Sequence, residues 1–273
     1  SPDTPWDSIS IADVDLELVG SVSLGEIYDY LIFLSRERQL NTASLARKIA
    51  AIRSFYRYLT SKAHLLEENP VQELDSPRMK KTLPRYLTLE ESLELLDAVQ
   101  GKNKERDYCI LMLFLNCGLR ISELVNLNVS DIQGDTIRVL GKGNKERILY
   151  LNDGCKAALE SYLTVRAMLS LQHEPALFVS NRRTRITRAG VHKMVKKYLL
   201  TAGLDASKYS AHKLRHTAAT LMLQNGVDVR TLQEVLGHDH LNTTQIYTHI
   251  SNDDLQIAAK ANPLADARQK KGS

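Results

Sequence analysis

The sequence predicts a mainly α protein with one small antiparallel β-sheet, divided into an N-terminal helical domain and a larger α+β domain. Three observations carry this reading. Apolar residues recur at three- and four-residue spacing along most of the chain, as in Leu45, Ile49, Ile52, Tyr56 and Leu59. Two short runs, Thr136 to Leu140 and Arg147 to Leu151, alternate or run apolar around Gly141-Lys-Gly-Asn-Lys-Glu146, which reads as a hairpin. Ser76-Pro-Arg-Met-Lys-Lys-Thr-Leu-Pro84-Arg85 breaks the helical pattern with proline and basic residues, so residues 77–84 read as a linker between 1–76 and 85–273.

Composition narrows the classes. At 273 residues the chain suits two modest cores better than one. Hydrophobic content of 43% with 25% charged residues is that of a soluble globular protein and argues against wholesale disorder. A formal charge of +4 permits nucleic-acid binding without proving it, because the arrangement of charge matters more than its sum. Cys109, Cys117 and Cys155 lack C-x-x-C spacing and read as reduced packing residues of a cytoplasmic protein. No signal peptide or long uncharged apolar span appears, so no membrane partner is expected. The first residue is Ser rather than Met, which suggests a shortened N-terminus.

Taken in order, Ser23 or Leu24 opens a helix through Ile27, Leu31 and Leu34. Asn41 or Thr42 caps the next, with Arg53 and Arg57 on one flank of its apolar stripe and Arg47 opposite. A solvated helix face is the plain reading of these arginines; phosphate contacts are the alternative. Asn69-Pro70 is expected to end the last helix of this domain. Lys80 and Lys81 of the linker have the charge to track phosphates.

In the larger domain, Thr88-Leu-Glu-Glu91 is a capping box. A helix that is apolar nearly all round follows, from Tyr108 to Cys117, broken at Gly118. Arg120 and Glu123 come immediately after the break, either as a surface ion pair or as a rigidly held phosphate contact. The hairpin loop carries Lys142 and Lys145 and lacks the G-x-x-x-x-G-K-[ST] of a P-loop. A third short strand is expected near Ile132. Helices follow through Ala157 to Val165 and Val191 to Leu199. Arg182, Arg183, Arg185 and Arg188 crowd the loop before the second of these, as phosphate or groove contacts or as a solvated loop.

The stretch from Ala211 to Tyr247 is the richest in chemistry. His212 and Arg215 share one helical face. Gly226 stops that helix; Asp228 caps a short one over Val229 to Leu236, and Gly237 ends it just before His238. Asn242-Thr-Thr-Gln245 looks like a capping box for a helix bearing Tyr247. Arg presents a fork of donors to phosphate oxygens, His moves protons near neutrality, and a Tyr hydroxyl can attack phosphorus. Alone, H-x-x-R is a weak signal, and Tyr247 is one of eleven tyrosines. A zinc site from His212, His216, His238 and His240 lacks the glutamate of H-E-x-x-H. Beyond Tyr247, Asp253 caps a last helix through Leu255, Ile257, Ala258 and Ala259, interrupted by Pro263.

Taken together, His212-Lys-Leu-Arg215, Leu236-Gly237-His238 and Tyr247 closely resemble the tyrosine recombinase (phage integrase) family, of Xer-like or mobile-element type. Gly118-Leu-Arg-Ile-Ser-Glu-Leu124 matches the family's A/G-L-R-x-S-E-L, and Gly141-Lys-Gly-Asn-Lys145 its G-K-G-x-K. The resemblance implies a site-specific recombinase, with an N-terminal core-binding domain that clamps DNA and usually has one more helix at its start. It implies six catalytic residues. Tyr247 attacks the phosphate, leaving a 3′-phosphotyrosine and a free 5′ hydroxyl. Arg120, Arg215 and His238 hold the non-bridging oxygens, His212 assists proton transfer, and Lys142 protonates the leaving oxygen, with Glu123 in support. No cofactor, ATP or metal is implied. The partners implied are double-stranded DNA with an inverted-repeat core site and further copies in a tetramer, joined by the C-terminal segment docking on a neighbour; a related recombinase or accessory protein is a further candidate. The rival readings are a type IB-like topoisomerase and a DNA-binding protein with a relic site.

Overall fold

The computed structural model describes residues 10, 12–77, 86–141, 146–169, 171, 174–237 and 252–267. The chain divides into two compact units, Ser1–Leu83 and Pro84–Ser273.

The first unit holds α1 (Leu16–Ser21), α2 (Leu24–Arg36) and α3 (Thr42–Ser61). Ser23 and Glu26 form a reciprocal capping box on α2, and the Asn41 side chain accepts from Ser44 N at α3. Their apolar stripes meet in a core of Leu31, Ile49, Tyr56, Val71 and Leu74, and Tyr56 Oη donates to the Val19 carbonyl of α1 at 3.0 Å. The expected helix end at Asn69-Pro70 is corrected. α3 stops at Ser61, and Pro70 begins a turn that drops Val71 and Leu74 into the core. Helix α1 has no fully buried residue, and its Val19 packs partly buried against that core. Arg47 and Arg57 are exposed, whereas Arg53 is half-buried and donates to Ser76 Oγ at 3.1 Å.

The second unit is built around α5 (Lys104–Cys117), whose residues from Asp107 to Cys117 are all buried. It starts a turn before Tyr108 because Lys104, Glu105 and Arg106 supply a charged first turn outside the apolar run. Helices α4 (Leu89–Asp97), α7 (Asp153–Ala167), α8 (Arg188–Thr201) and α9 (Ala211–Gln224) contribute to the same core. Strands β1 (Ile132–Gln133), β2 (Thr136–Leu140) and β3 (Glu146–Tyr150) form one antiparallel sheet in that order, with Ile137 opposite Leu149 and Val139 opposite Arg147. Between α5 and the sheet lies α6 (Ile121–Asn126); α10 (Val229–Leu236) and α11 (Asn252–Lys260) follow α9. Gly118, at φ +58, and Gly237, at φ +63, end α5 and α10 in the left-handed conformation that favours glycine.

The C-terminal segment packs on the second unit. Asn152 Nδ2 donates to Ala259 O at 3.2 Å, Asn262 Nδ2 to Leu115 O at 2.9 Å, and Gly154 N to Ala265 O at 2.6 Å. Any Cβ at Gly154 would collide with that Ala265 oxygen. Ala258 and Leu264 are buried by the same docking. Among the described residues no helix is long and apolar enough to cross a membrane, and the three cysteines are unpaired and buried.

Candidate functional site

The site grows from the break after α5. Gly118 turns the chain, and Arg120 becomes the N-cap residue of α6 with Glu123 three residues on. Glu123 Oε2 accepts from Arg120 N and Oε1 from Arg120 Nη1, each at 2.8 Å. The Glu123 side chain is only 3% exposed, so this is no surface ion pair. Arg147 Nη1 and Nη2 donate to its two oxygens at 2.9 Å, a fork-on-carboxylate arrangement. Arg215 Nη1 stands 3.9 Å from the same group. Burial alone would raise the Glu123 carboxyl. The paired bonds from Arg147, the Arg120 backbone N–H and the charge of Arg147 outweigh it and hold the group at about 2.

Arg215 projects from α9 with its side chain 5% exposed, donating to Gly118 O at 2.6 Å and Leu236 O at 2.5 Å. Burial, and then the charge of Arg120, lower its guanidinium to about 10, which leaves it protonated at neutral pH. Arg120 is the accessible member, 35% exposed, and its Nη2 donates to Gly237 O at 3.0 Å. Among the described residues, three guanidinium groups, of Arg120, Arg147 and Arg215, thus gather around one carboxylate. Such a gathering, partly buried, suits an anion with oxygens to share among planar donors.

His212 lies one turn before Arg215 on α9, with its Nε2 3.1 Å from His216 Nε2. Burial first, then the charges of Arg215, Lys213 and Arg120, lower its pKa from the ordinary 6.5, which favours the neutral form that can accept a proton. A cleft of about 550 Å³ opens beside Arg120 and runs past Asn128 and Arg138 to Gly141 and Glu146, where the β2–β3 loop leaves the sheet.

The structure therefore brings together Arg120, Glu123, His212 and Arg215. Lys142, Lys145, His238 and Tyr247 lie outside the described residues, as do Lys80, Lys81, His240 and the Asn242 capping box. Arg182, Arg183 and Arg188 are exposed. Arg185 is a correction. Its guanidinium donates to Val125 O at 2.9 Å, Leu127 O at 3.1 Å and Asn128 Oδ1 at 2.6 Å, so it fastens the end of α6 instead of facing a ligand. Arg147 was not singled out by the motifs. The available signal was period two: it shares the inward side of β3 with Leu149, and an inward arginine needs an acid.

Residues 85–253 match the phage integrase family, and residues 12–63 match the phage integrase N-terminal SAM-like domain. The tyrosine recombinase XerC of Caldanaerobacter subterraneus subsp. tengcongensis is 52% identical over 266 residues, covering 97% of this chain and 75% of the relative. That of Herpetosiphon aurantiacus is 42% identical, covering 85% and 77%. Among solved structures, XerA recombinase superposes with a TM-score of 0.55 at 35% identity, covering 86% of this chain and 81% of the other. XerH bound to a palindromic difH substrate, in a post-cleavage complex, gives 0.66 at 25% identity, covering 88% and 70%. Between the arginine cluster on α6, β3 and α9 and a family match that spans it, the chain belongs to the phage integrase family of tyrosine recombinases.

Proposed function

We propose that this tyrosine recombinase cuts and rejoins double-stranded DNA at an inverted-repeat core site, with Tyr247 as nucleophile. The observation that carries the reading is the gathering of guanidinium donors around Glu123, with Arg120 on the solvent-facing side and His212 on the same helix as Arg215. Tyr247 Oη attacks phosphorus, the bond to the 5′ oxygen breaks, and a 3′-phosphotyrosine forms. Arg120 and Arg215, with His238, hold the non-bridging oxygens as charge builds on them. His212 takes part in the proton transfer at the tyrosine, and Lys142 gives a proton to the leaving oxygen. The new ester conserves the energy of the old one, so rejoining runs by the reverse attack of a 5′ hydroxyl and needs no ATP. The same cationic side chains fill the electrostatic role of a metal.

Around the site, exposed Arg182, Arg183 and Arg188, together with Arg47, Arg57, half-buried Arg53, Lys80, Lys81 and Lys145, are assigned to backbone phosphates. A tetramer on two DNA sites is the assembly such an exchange requires, and reduced buried cysteines fit a cytoplasmic setting.

The test starts from a pool of nicked duplexes with randomised arms, enriched by binding to the protein. The enriched duplexes are incubated with wild-type protein and with Tyr247→Phe, in EDTA, and run on a denaturing gel. A covalent adduct that forms only with wild type supports the reading; bound DNA without an adduct overturns it.

A further inference from the structure

The last carbonyls of a helix have no partner within it. At the end of α10, Gln233 O and Glu234 O accept from Gly237 N, which leaves the carbonyls of Val235, Leu236 and Gly237. Each is taken by a different arginine. Arg147 Nε donates to Val235 O at 3.2 Å, Arg215 Nη2 to Leu236 O at 2.5 Å, and Arg120 Nη2 to Gly237 O at 3.0 Å. The same three side chains crowd Glu123. One carboxylate and three consecutive carbonyls thus fix the positions of all three guanidinium groups, at the point where the chain leaves for His238 and Tyr247.

Within this lattice Arg147 is the one whose fork takes both oxygens of Glu123. Its side chain is 14% exposed, against 35% for Arg120, and each of its three guanidinium nitrogens has a protein acceptor. It also closes against Gly237, where a Cβ would stand 3.2 Å from Arg147 Cδ. We propose that Arg147 is a positioning residue for strand cleavage: it occupies both oxygens of Glu123, so that Arg120 and Arg215 keep their charge and orientation for the scissile phosphate, and it fixes the exit of α10. This rests on the recombinase reading above. Without Arg147, the Glu123 oxygens are left to draw in Arg120, already at 2.8 Å, and Arg215, at 3.9 Å, and their donors turn from the phosphate to the carboxylate.

The test compares Arg147→Gln and Arg147→Lys with wild type in single-turnover adduct formation on the enriched nicked duplex. One duplex carries the natural scissile phosphate and the other a methylphosphonate, in which a neutral methyl replaces one charged oxygen. Circular dichroism checks folding, and DNA affinity is measured in parallel. Arg147→Gln is expected to lower the rate on phosphate by on the order of 10²-fold at unchanged affinity, with Arg147→Lys intermediate. On methylphosphonate, where less charge must be balanced, the loss shrinks at least tenfold. A wild-type rate for Arg147→Gln, or an equal loss on both substrates, overturns the proposal. Should Arg147→Gln not fold, Arg147→Lys is judged by the same ratio. A wild-type protein that forms no adduct overturns the recombinase reading itself, and the proposal with it.

Discussion

Leu236 occupies the space that a side chain at position 118 would need: a Cβ on Gly118 would stand 2.5 Å from Leu236 Cδ2. This contact presses the ends of α5 and α10 together, close enough for Arg215 to donate to Gly118 O and Leu236 O at once. Gly118→Ala is therefore expected to destabilise twice over, through the left-handed φ of +58 and through overpacking. Together these cost on the order of 2–4 kcal/mol. Denaturant unfolding measures it, and adding Leu236→Ala should relieve the steric part only. A Gly118→Ala protein as stable as wild type would remove the contact from the account.

Arg120 and Arg215 should separate activity from stability. Arg120 is partly exposed and its loss should cost about 2.7–4 kcal/mol of transition-state stabilisation, roughly 10²–10³ in adduct rate, with a smaller loss of stability than at Arg215 because Arg147 still pairs with Glu123. Arg215→Ala should lose a comparable rate and also about 1–3 kcal/mol of stability, because two buried carbonyls lose their donor. Equal unfolding curves for the two variants would contradict this division.

Glu123 links stability to acid. Its carboxyl is held at about 2 against an ordinary 4.5, so the stabilisation it gives is fully present above 4.5 and is lost as pH falls toward 2. The amount is on the order of 3 kcal/mol. Unfolding followed from pH 7 to 2 should show a gap between wild type and Glu123→Gln that closes through this window. A gap independent of pH would mean the carboxylate is not paired as described.

The pH–rate profile should report His212. Because burial and the neighbouring cations lower its protonation below 6.5, the acid limb of single-turnover cleavage should lie below that value. Lys213 is one of those cations, and Lys213→Gln should move the limb upward. A limb at or above 6.5 in wild type is the contrary result.

The arginine loop should split in two. Arg183→Ala should weaken DNA binding across sequences and reduce the slope of log affinity against log salt by about 1. Arg185→Ala should instead destabilise the fold, since its guanidinium serves two backbone carbonyls and Asn128. Titration at several salt concentrations, beside unfolding curves, distinguishes them.

Much of this was legible in the residues because local rules agree with the fold. The helix start at Ser23 or Leu24, the box at Thr88, the cap at Asp228 and the glycine stops at 118 and 237 are set by short-range hydrogen bonding and backbone sterics. What the sequence hides is tertiary. Nothing near Arg185 tells that carbonyls nearly sixty residues earlier will claim it, while Arg182 and Arg183 beside it stay exposed. Arg147 and Glu123 are 24 residues apart, and their pairing depends on how β3 registers on β2. The end of α3 was misplaced because Val71 and Leu74 are buried by packing, without helical periodicity.

The self-docked C-terminal segment has a consequence for assembly. Asn262 and Ala265 meet acceptors and donors of the chain's own second unit, Leu115 O and Gly154 N, and a second copy displays the identical seat. Moving the segment from one seat to the other exchanges like bonds for like, so contact chemistry is close to neutral. The outcome is then a contest of effective concentrations. A tethered tail meets its own seat at roughly millimolar concentration, which dilute free protein cannot match, whereas copies held side by side on one duplex can.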